Sequence, residues 1–307
     1  MKTLSVIIPV YFNEGSLPPL FAELCSVEEA LRPRGMELEL IFVDDGSLDR
    51  SWEALCEIKR QRPGTRIIRL TRNFGSVRAS KAGCRYAAGD CFCILSADLQ
   101  DPPSLLLEMA DRWLAGSKYV ICVRRSREDP LCSRICSHLF YRVIRALVIR
   151  DYPQGGYDLA LMDREMLPYF VESSKNLFTP ILGFWLGYKP DVIRYDRLRR
   201  NHGTSRWTFM KKLNAFLDSV LGYSVAPLRL ISLVGIVVSL CSFGYGGWII
   251  ANALLGRMDV PGFATIVVLL SFLMGVVITS LSVIGEYLWR IYDEVNKRPD
   301  VVIDEMH

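Results

Sequence analysis

From its amino end the chain alternates short β-branched apolar runs with stretches whose apolar residues recur at helical spacing. Leu4 to Val10 reads as a strand, Ser16 to Leu31 as a helix, and Leu38 to Val43 as a second strand that ends in Asp44-Asp45-Gly46-Ser47. Trp52 to Arg60 is helical, Arg66 to Leu70 a third strand, Val77 to Ala88 a helix and Cys91 to Leu95 a fourth strand. Pro102 and Pro103 open a helix through Leu114, because proline is tolerated in a first turn, and Lys118 to Val123 is a fifth strand. This alternation predicts an α/β domain: a mostly parallel sheet with helices on both faces.

After Arg124 the pattern changes. Leu131, Ile135, Leu139, Phe140, Val143, Ile144, Leu147 and Val148 share one helical face, while Arg134, His138, Arg142 and Arg145 share another. A basic amphipathic helix of this kind either packs on the sheet or lies in the headgroup layer of a membrane, and the two nearby spans favour the membrane; residues 207 to 225 are a second such segment. From Leu230 to Leu255, and again from Val260 to Gly285, no charged residue occurs. Each run exceeds the ~20 residues that span a bilayer as helix. The expected division is therefore a catalytic or binding domain over 1–205, a juxtamembrane amphipathic segment over 206–228, two transmembrane helices within 229–289 and a tail over 290–307.

The apolar start runs into Asn13 and Glu14 without a cleavage-like pattern, so it reads as a strand rather than a signal peptide. Lys211, Lys212 and Arg229 precede the first span, Arg290, Lys297 and Arg298 follow the second, and the connection holds only Arg257. By the positive-inside rule both termini and the N-terminal domain are expected in the cytoplasm, with the chain multi-pass in the inner (plasma) membrane. Composition adds little that conflicts. Nine cysteines with no Cys-x-x-Cys pair suit a reducing compartment. The net charge of +4 gathers near the spans without aromatic interleaving, which excludes a nucleic-acid partner and favours a membrane surface. Gly235, Ser239, Gly244 and Gly246 give the first span small-residue faces, so a homo-oligomer is an open expectation.

Candidate chemistry sits where strands end: Pro9-Val-Tyr-Phe-Asn-Glu14, Asp44-Asp-Gly-Ser47 and Ser96-Ala-Asp-Leu-Gln-Asp101. Carboxylates at the mouth of a parallel sheet suit a nucleotide, one accepting hydrogen bonds from base or ribose and another holding a cation that bridges phosphates. No Gly-x-Gly-x-x-Gly follows the first strand and no P-loop occurs, which weighs against hydride transfer and ATP hydrolysis. Each motif singly could be a turn or a helix cap. Three at successive strand ends, ahead of two spans, point to a site.

These motifs, with Arg-Asn-Phe-Gly at 72–75, Ala-Asp-Leu-Gln-Asp-Pro-Pro at 97–103 and Ile-Gly-Glu-Tyr-Leu at 284–288, resemble family 2 glycosyltransferases. More narrowly they resemble the polyprenyl-phosphate branch, which includes bactoprenol glucosyltransferases and dolichyl-phosphate mannose synthases. The resemblance implies a Rossmann-like, GT-A type fold. It implies that Pro9, Tyr11, Asp44 and Asp45 line the nucleobase site, with Glu14 at an acidic position of the same motif that Phe12 displaces by one. Asp98 and Gln100 match ligands of Mg²⁺ or Mn²⁺, Arg124 and Arg206 match basic residues near the phosphates, and Asp158 matches the base beside the acceptor. Ser96 stands where the family has aspartate, so its part in holding metal is doubtful and the site is expected to bind its cation weakly without donor.

The reaction implied is inverting transfer of one sugar from a nucleotide sugar to a polyprenyl phosphate. A leaving nucleoside diphosphate needs its negative charge neutralised, which a cation at Asp98 and Gln100 with Arg206 nearby would do. The two-span form favours uridine over guanosine diphosphate donors, UDP-glucose before GDP-mannose. A processive synthase is disfavoured because Arg206-Trp207 lacks the Gln-x-x that precedes it in such enzymes. A noncatalytic nucleotide-sugar-binding scaffold, its metal site spoiled by Ser96, is the alternative of a different class.

Overall fold

The strands of the N-terminal half are continuous apolar runs rather than alternating ones. Val6, Ile7 and Ile8 are all fully buried, as expected of parallel strands covered on both faces. The computed structural model describes residues 1–125, 131–174, 179–197, 209–255 and 262–307. In chain order these form β1 (Lys2–Val10), α1 (Leu17–Leu31), β2 (Met36–Asp44), α2 (Ser51–Gln61), β3 (Arg66–Leu70), α3 (Ser76–Cys84), β4 (Cys91–Ile94), α4 (Leu105–Leu114) and β5 (Tyr119–Arg124). There follow α5 (Leu131–Leu147), β6 (Leu159–Asp163), α6 (Leu167–Glu172), α7 (Thr179–Trp185), β7 (Asp191–Tyr195), α8 (Phe209–Tyr223), α9 (Ala226–Leu254), α10 (Phe263–Val295) and β8 (Ile303–Met306).

One 8-stranded sheet runs in the order β7-β5-β6-β4-β1-β2-β3-β8. The pairs β1–β2, β1–β4 and β2–β3 are parallel, as the alternation predicts, and β5 pairs in parallel with β7, a strand the alternation does not predict. Strands β6 and β8 run antiparallel to their neighbours, and the N-terminal alternation predicts neither. After β3 the chain returns to the other side of β1 to form β4, so the strand order reverses at β1. Ligands of open α/β sheets bind at such a switch point, outside the carboxyl ends of the strands. Helix α3 lies close on β1 and β2 because Gly83 has no side chain: a Cβ there would come within 2.5 Å of Ile7 Cγ2 and 3.0 Å of Val43 Cγ2.

The molecule divides into two compact units, one of Met1–Ser219 with Pro299–His307 and one of Val220–Arg298. The expected tail over 290–307 is thus corrected in its last nine residues, which belong to the sheet as the approach to β8 and the strand itself. The second unit holds two helices long and apolar enough to cross a membrane, Ala226–Ile249 and Phe272–Val295. Their apolar side chains, Phe243 and Trp248 among them, are exposed. Helix α5 departs from the expectation of lying in the headgroup layer on its apolar face. Ile144 is fully buried, the Phe140 ring lies 5.7 Å from Phe216 of α8, and Tyr141 stacks on Tyr152 at 6.0 Å. Protein aromatics cover that face at these positions, leaving His138 and Arg142 exposed.

Candidate active site

Residues from six strands converge along one edge of the sheet. At its centre the ends of β1 and β2 are in register, Val10 opposite Asp44. The loops that follow are stitched together: the Phe12 amide donates to Ser47 Oγ at 3.0 Å, the Asn13 amide to Ser51 Oγ at 2.8 Å and the Asp45 amide to the Val10 carbonyl at 2.8 Å. Phe12 carries a positive φ of 57°, a backbone cost for a bulky residue that persists only where surroundings enforce it. Pro9 and Tyr11 stand at the same strand end, beside Asp44.

The two aspartates of Asp44-Asp45-Gly46-Ser47 do different work. Asp45 accepts the Phe74 and Gly75 amides at 2.7 and 2.9 Å, so its carboxylate ties the loop before α3 to the end of β2. Asp44 is fully buried; its Oδ1 accepts the Ser47 amide at 3.1 Å, while its Oδ2 has no hydrogen-bond partner among the described residues and lies 3.9 Å from Arg69 Nε. Burial pushes the Asp44 carboxyl up, against the Ser47 hydrogen bonds and Arg69, which pull it down. Gly46 has φ 68°, and a Cβ there would sit 2.5 Å from the Arg72 carbonyl carbon, so the motif needs glycine where the two loops meet. Glu14 accepts the Arg50 amide at 3.0 Å and so braces the start of α2.

On the other side of β1, Asp98 follows β4. Its Oδ1 accepts from Ser96 Oγ at 3.0 Å and from the Gln100 amide at 3.3 Å. Leu99, between these residues, also has a positive φ of 57°. The described residues hold no cluster of three or more His, Cys, Asp or Glu of the kind that encloses a metal. Asp98 with the Ser96 hydroxyl and the Gln100 side chain fits a hard cation that takes further oxygens from its ligand, because such ions need six or more oxygen donors.

The third part lies at the ends of β5 and β7 and the start of β6. Because β6 is antiparallel, its first residues meet the last residues of β5, and the Asp158 amide donates to the Cys122 carbonyl at 3.1 Å. Arg124 grips Asp158 with two hydrogen bonds, Nε to Oδ2 at 2.6 Å and Nη2 to Oδ1. Opposite Arg124 in register is Tyr195, whose hydroxyl lies between Asp158 Oδ2, at 2.9 Å, and Asp101 Oδ1. Arg197 closes the group, its Nε 3.0 Å from Asp101 Oδ1 and its Nη1 3.9 Å from Asp158 Oδ1. Burial, then the two carboxylates, push the Tyr195 phenol far up, so it stays protonated and donates.

Of the predicted residues, Asp44, Asp98, Gln100, Arg124 and Asp158 share this edge. Arg206 lies outside the described residues. Asp101, Tyr195, Arg197 and Arg69 are additions. Nothing along the chain signals Tyr195 and Arg197, since β7 is five residues long and only pairing with β5 brings them to the mouth.

Comparison with known proteins matches Glycosyl transferase family 2 over residues 5–151. An uncharacterized glycosyltransferase of Synechocystis sp. is 36% identical over 310 residues, 99% of this chain and 95% of its own length. The chain belongs to glycosyltransferase family 2. Within the family it falls with the bactoprenol glucosyl transferases. The SfII prophage-derived one of Shigella flexneri is 32% identical over 306 residues, 99% of this chain and 98% of that one. The glycosyltransferase also resembles in fold the glucosyl-3-phosphoglycerate synthase of Mycobacterium tuberculosis solved with Mn2+ and UDP-glucose. The TM-score is 0.50 at 16% identity, covering 71% of this chain and 79% of that one.

Proposed function

We propose that this glycosyltransferase moves a single sugar from a nucleotide donor, UDP-glucose foremost, to a polyprenyl phosphate at the cytoplasmic face of the membrane, with inversion. One observation carries the reading. A single sheet edge holds a buried carboxylate with a free acceptor oxygen at Asp44, a cation ligand set at Asp98 and an Arg124–Asp158 pair, in a chain with two apolar helices. The bactoprenol glucosyl transferases it resembles over nearly its whole length act, by their name, on such a lipid.

In this scheme Asp44 accepts a base N–H, with Pro9 and Tyr11 beside it, and Asp45 and Glu14 hold the loops in place. Asp98, Gln100 and, as a neutral oxygen, Ser96 would hold Mg²⁺ or Mn²⁺, which neutralises charge on the departing diphosphate. The acceptor phosphate has a second ionisation near pH ~6, so much of it is already dianionic at neutral pH. Asp158 then works chiefly by orienting Arg124, whose fork suits a phosphate, and Tyr195 and Arg197 fix that pair from the far side. Lipid phosphate competes with Asp158 for Arg124, leaving the carboxylate beside the attacking oxygen. Arg206 belongs to the same phosphate-binding set by its family position.

The spans keep the site near a lipid that cannot leave the bilayer. The flanking positive charge supports a cytoplasmic catalytic unit. So does the return of residues 299–307 to the sheet that begins at residue 2, which favours entry and exit of the helix pair on one side. The test supplies purified full-length protein with radiolabelled UDP-glucose or GDP-mannose, undecaprenyl phosphate and Mg²⁺ or Mn²⁺. A lipid-linked product from UDP-glucose that is lost in Asp98→Ala supports the reading. Product only from GDP-mannose replaces the donor, and nucleotide binding with no lipid product makes the protein a scaffold.

A further inference from the structure

The segment that follows the second apolar helix does more than end the chain. Asp300 receives Arg85 at 2.9 Å and lies 3.8 Å from Lys81 Nζ, a lysine only 2% exposed. From that anchor the chain joins the sheet edge: the Thr71 amide donates to the Val302 carbonyl at 3.1 Å, and Ile67 and His307 exchange backbone hydrogen bonds at 3.0 and 2.9 Å. The strand thereby sets Glu305 opposite Arg69 in register, with Arg69 Nη1 3.4 Å from Glu305 Oε1. The same guanidinium lies over the Trp52 ring, 5.4 Å from its centroid, and the His307 ring stands 6.1 Å from Trp52 on the same patch. Arg69 Nε faces the buried Asp44 Oδ2 at 3.9 Å, the oxygen that makes no hydrogen bond among the described residues.

From this chain of contacts we infer that the C-terminal strand is part of the nucleotide site: Glu305 holds Arg69, and Arg69 positions Asp44 to receive the nucleobase. This rests on the reading of Asp44 as the nucleobase acceptor. The geometry separates the roles. Asp44 touches the base, whereas Arg69 and Glu305 act through it as positioning residues. A cation 3.9 Å from a fully buried carboxylate opposes the upward push of burial and so favours the ionised form, the stronger acceptor for a base N–H. A guanidinium held by both Trp52 and Glu305 has little freedom to swing away, so its charge stays beside Asp44. The device also makes nucleotide affinity depend on how residues 299–307 seat on the sheet.

The test measures UDP and GDP binding by calorimetry on the full-length, detergent-solubilised protein, together with donor and acceptor KM and kcat. Removing a half-exposed ion-pair partner changes affinity by about threefold, and removing the cation beside a buried carboxylate by about tenfold. Glu305→Ala is therefore expected to raise the Kd for UDP about threefold and Arg69→Ala about tenfold. The double variant should match Arg69→Ala alone, with the loss falling on UDP Kd and donor KM rather than on acceptor KM. Glu305→Gln, which preserves the shape of the strand, should fall with Glu305→Ala. Glu305→Asp should recover part of the loss, and Asp304→Ala, an exposed neighbour, should bind as wild type. Wild-type affinity in both Glu305→Ala and Glu305→Gln overturns the inference, as does a loss that falls equally on donor and acceptor. If the wild-type protein binds neither UDP nor GDP, the nucleotide reading of Asp44 itself fails and this inference falls with it.

Discussion

In the proposed cation site Ser96 is a neutral group where an aspartate would add a charge. Its hydroxyl donates to Asp98 at 3.0 Å, so the carboxylate is held in place by a neutral group where a second charge would attract the cation. Ser96→Asp is expected to lower the Mg²⁺ or Mn²⁺ concentration for half-maximal transfer by about tenfold, the effect of ~1.4 kcal/mol of added charge attraction. A metal titration of product formation checks it, and an unchanged midpoint would show that the donor's diphosphate dominates. Asp44 gives a pH prediction. Its carboxyl is raised by burial, so the fold binds that proton more tightly than the unfolded chain does. The associated stability is present below the unfolded value and is lost as pH rises through the folded one. Asp44→Asn should consequently be more stable than wild type at neutral pH, a gain that shrinks as the medium is acidified, while losing UDP binding. Denaturation across the acid range with parallel calorimetry measures both. These residues were legible in the sequence because their motifs sit at strand ends; that Asp44 keeps an oxygen without a hydrogen-bond partner among the described residues while Asp45 braces a loop was not, since adjacent side chains of a strand point to opposite faces and only the packed loops show which is which.

At the scale of elements, the antiparallel strand β6 decides where Asp158 lies. It brings residue 158 to the mouth that parallel strands reach with their last residues, and β7 then sets Tyr195 beside Arg124. Tyr195→Phe keeps the ring and removes the hydroxyl between two carboxylates. Losing a hydrogen bond to a charged group corresponds to about 10- to 100-fold, so kcat should fall by that amount with UDP affinity unchanged. An equal loss of UDP binding would place Tyr195 with the donor instead. The alternation of strands and helices through residue 124 foretold β1 to β5, because buried parallel strands need unbroken apolar runs. It did not foretell β6, β7 or β8, which are four or five residues long. Length is not the reason, since β3 and β4 are as short; β6, β7 and β8 lie outside the strand–helix alternation, and their place in the sheet depends on neighbours far along the chain.

For the whole molecule, residues 299–307 return to the unit that contains residue 1 after both apolar helices have passed. A reporter fused after a short linker at His307 should therefore read the same side of the membrane as one fused before Met1, and that side should be the cytoplasm. Opposite readings for the two ends would remove the basis for an even number of spans. The exposed apolar surface of the two helices needs a hydrophobic environment in any case, since an aqueous monomer rarely leaves patches of that extent uncovered.

Apolar patterning alone was enough to establish the α/β class, the first five strands and the two long helices, because burial on both faces of a sheet and immersion in lipid each demand a run of a fixed minimum length. Motif chemistry likewise marked Asp44, Asp98 and Gln100, since three polar motifs at successive strand ends point to a site; Asp158 was marked only by the family resemblance. What needed the folded chain was pairing: Arg124 with Asp158, Tyr195 between two carboxylates, the inward apolar face of α5, and Glu305 on Arg69. Each joins residues brought together by strand register or helix packing across tens to hundreds of positions, and no local spacing encodes a contact made at that distance.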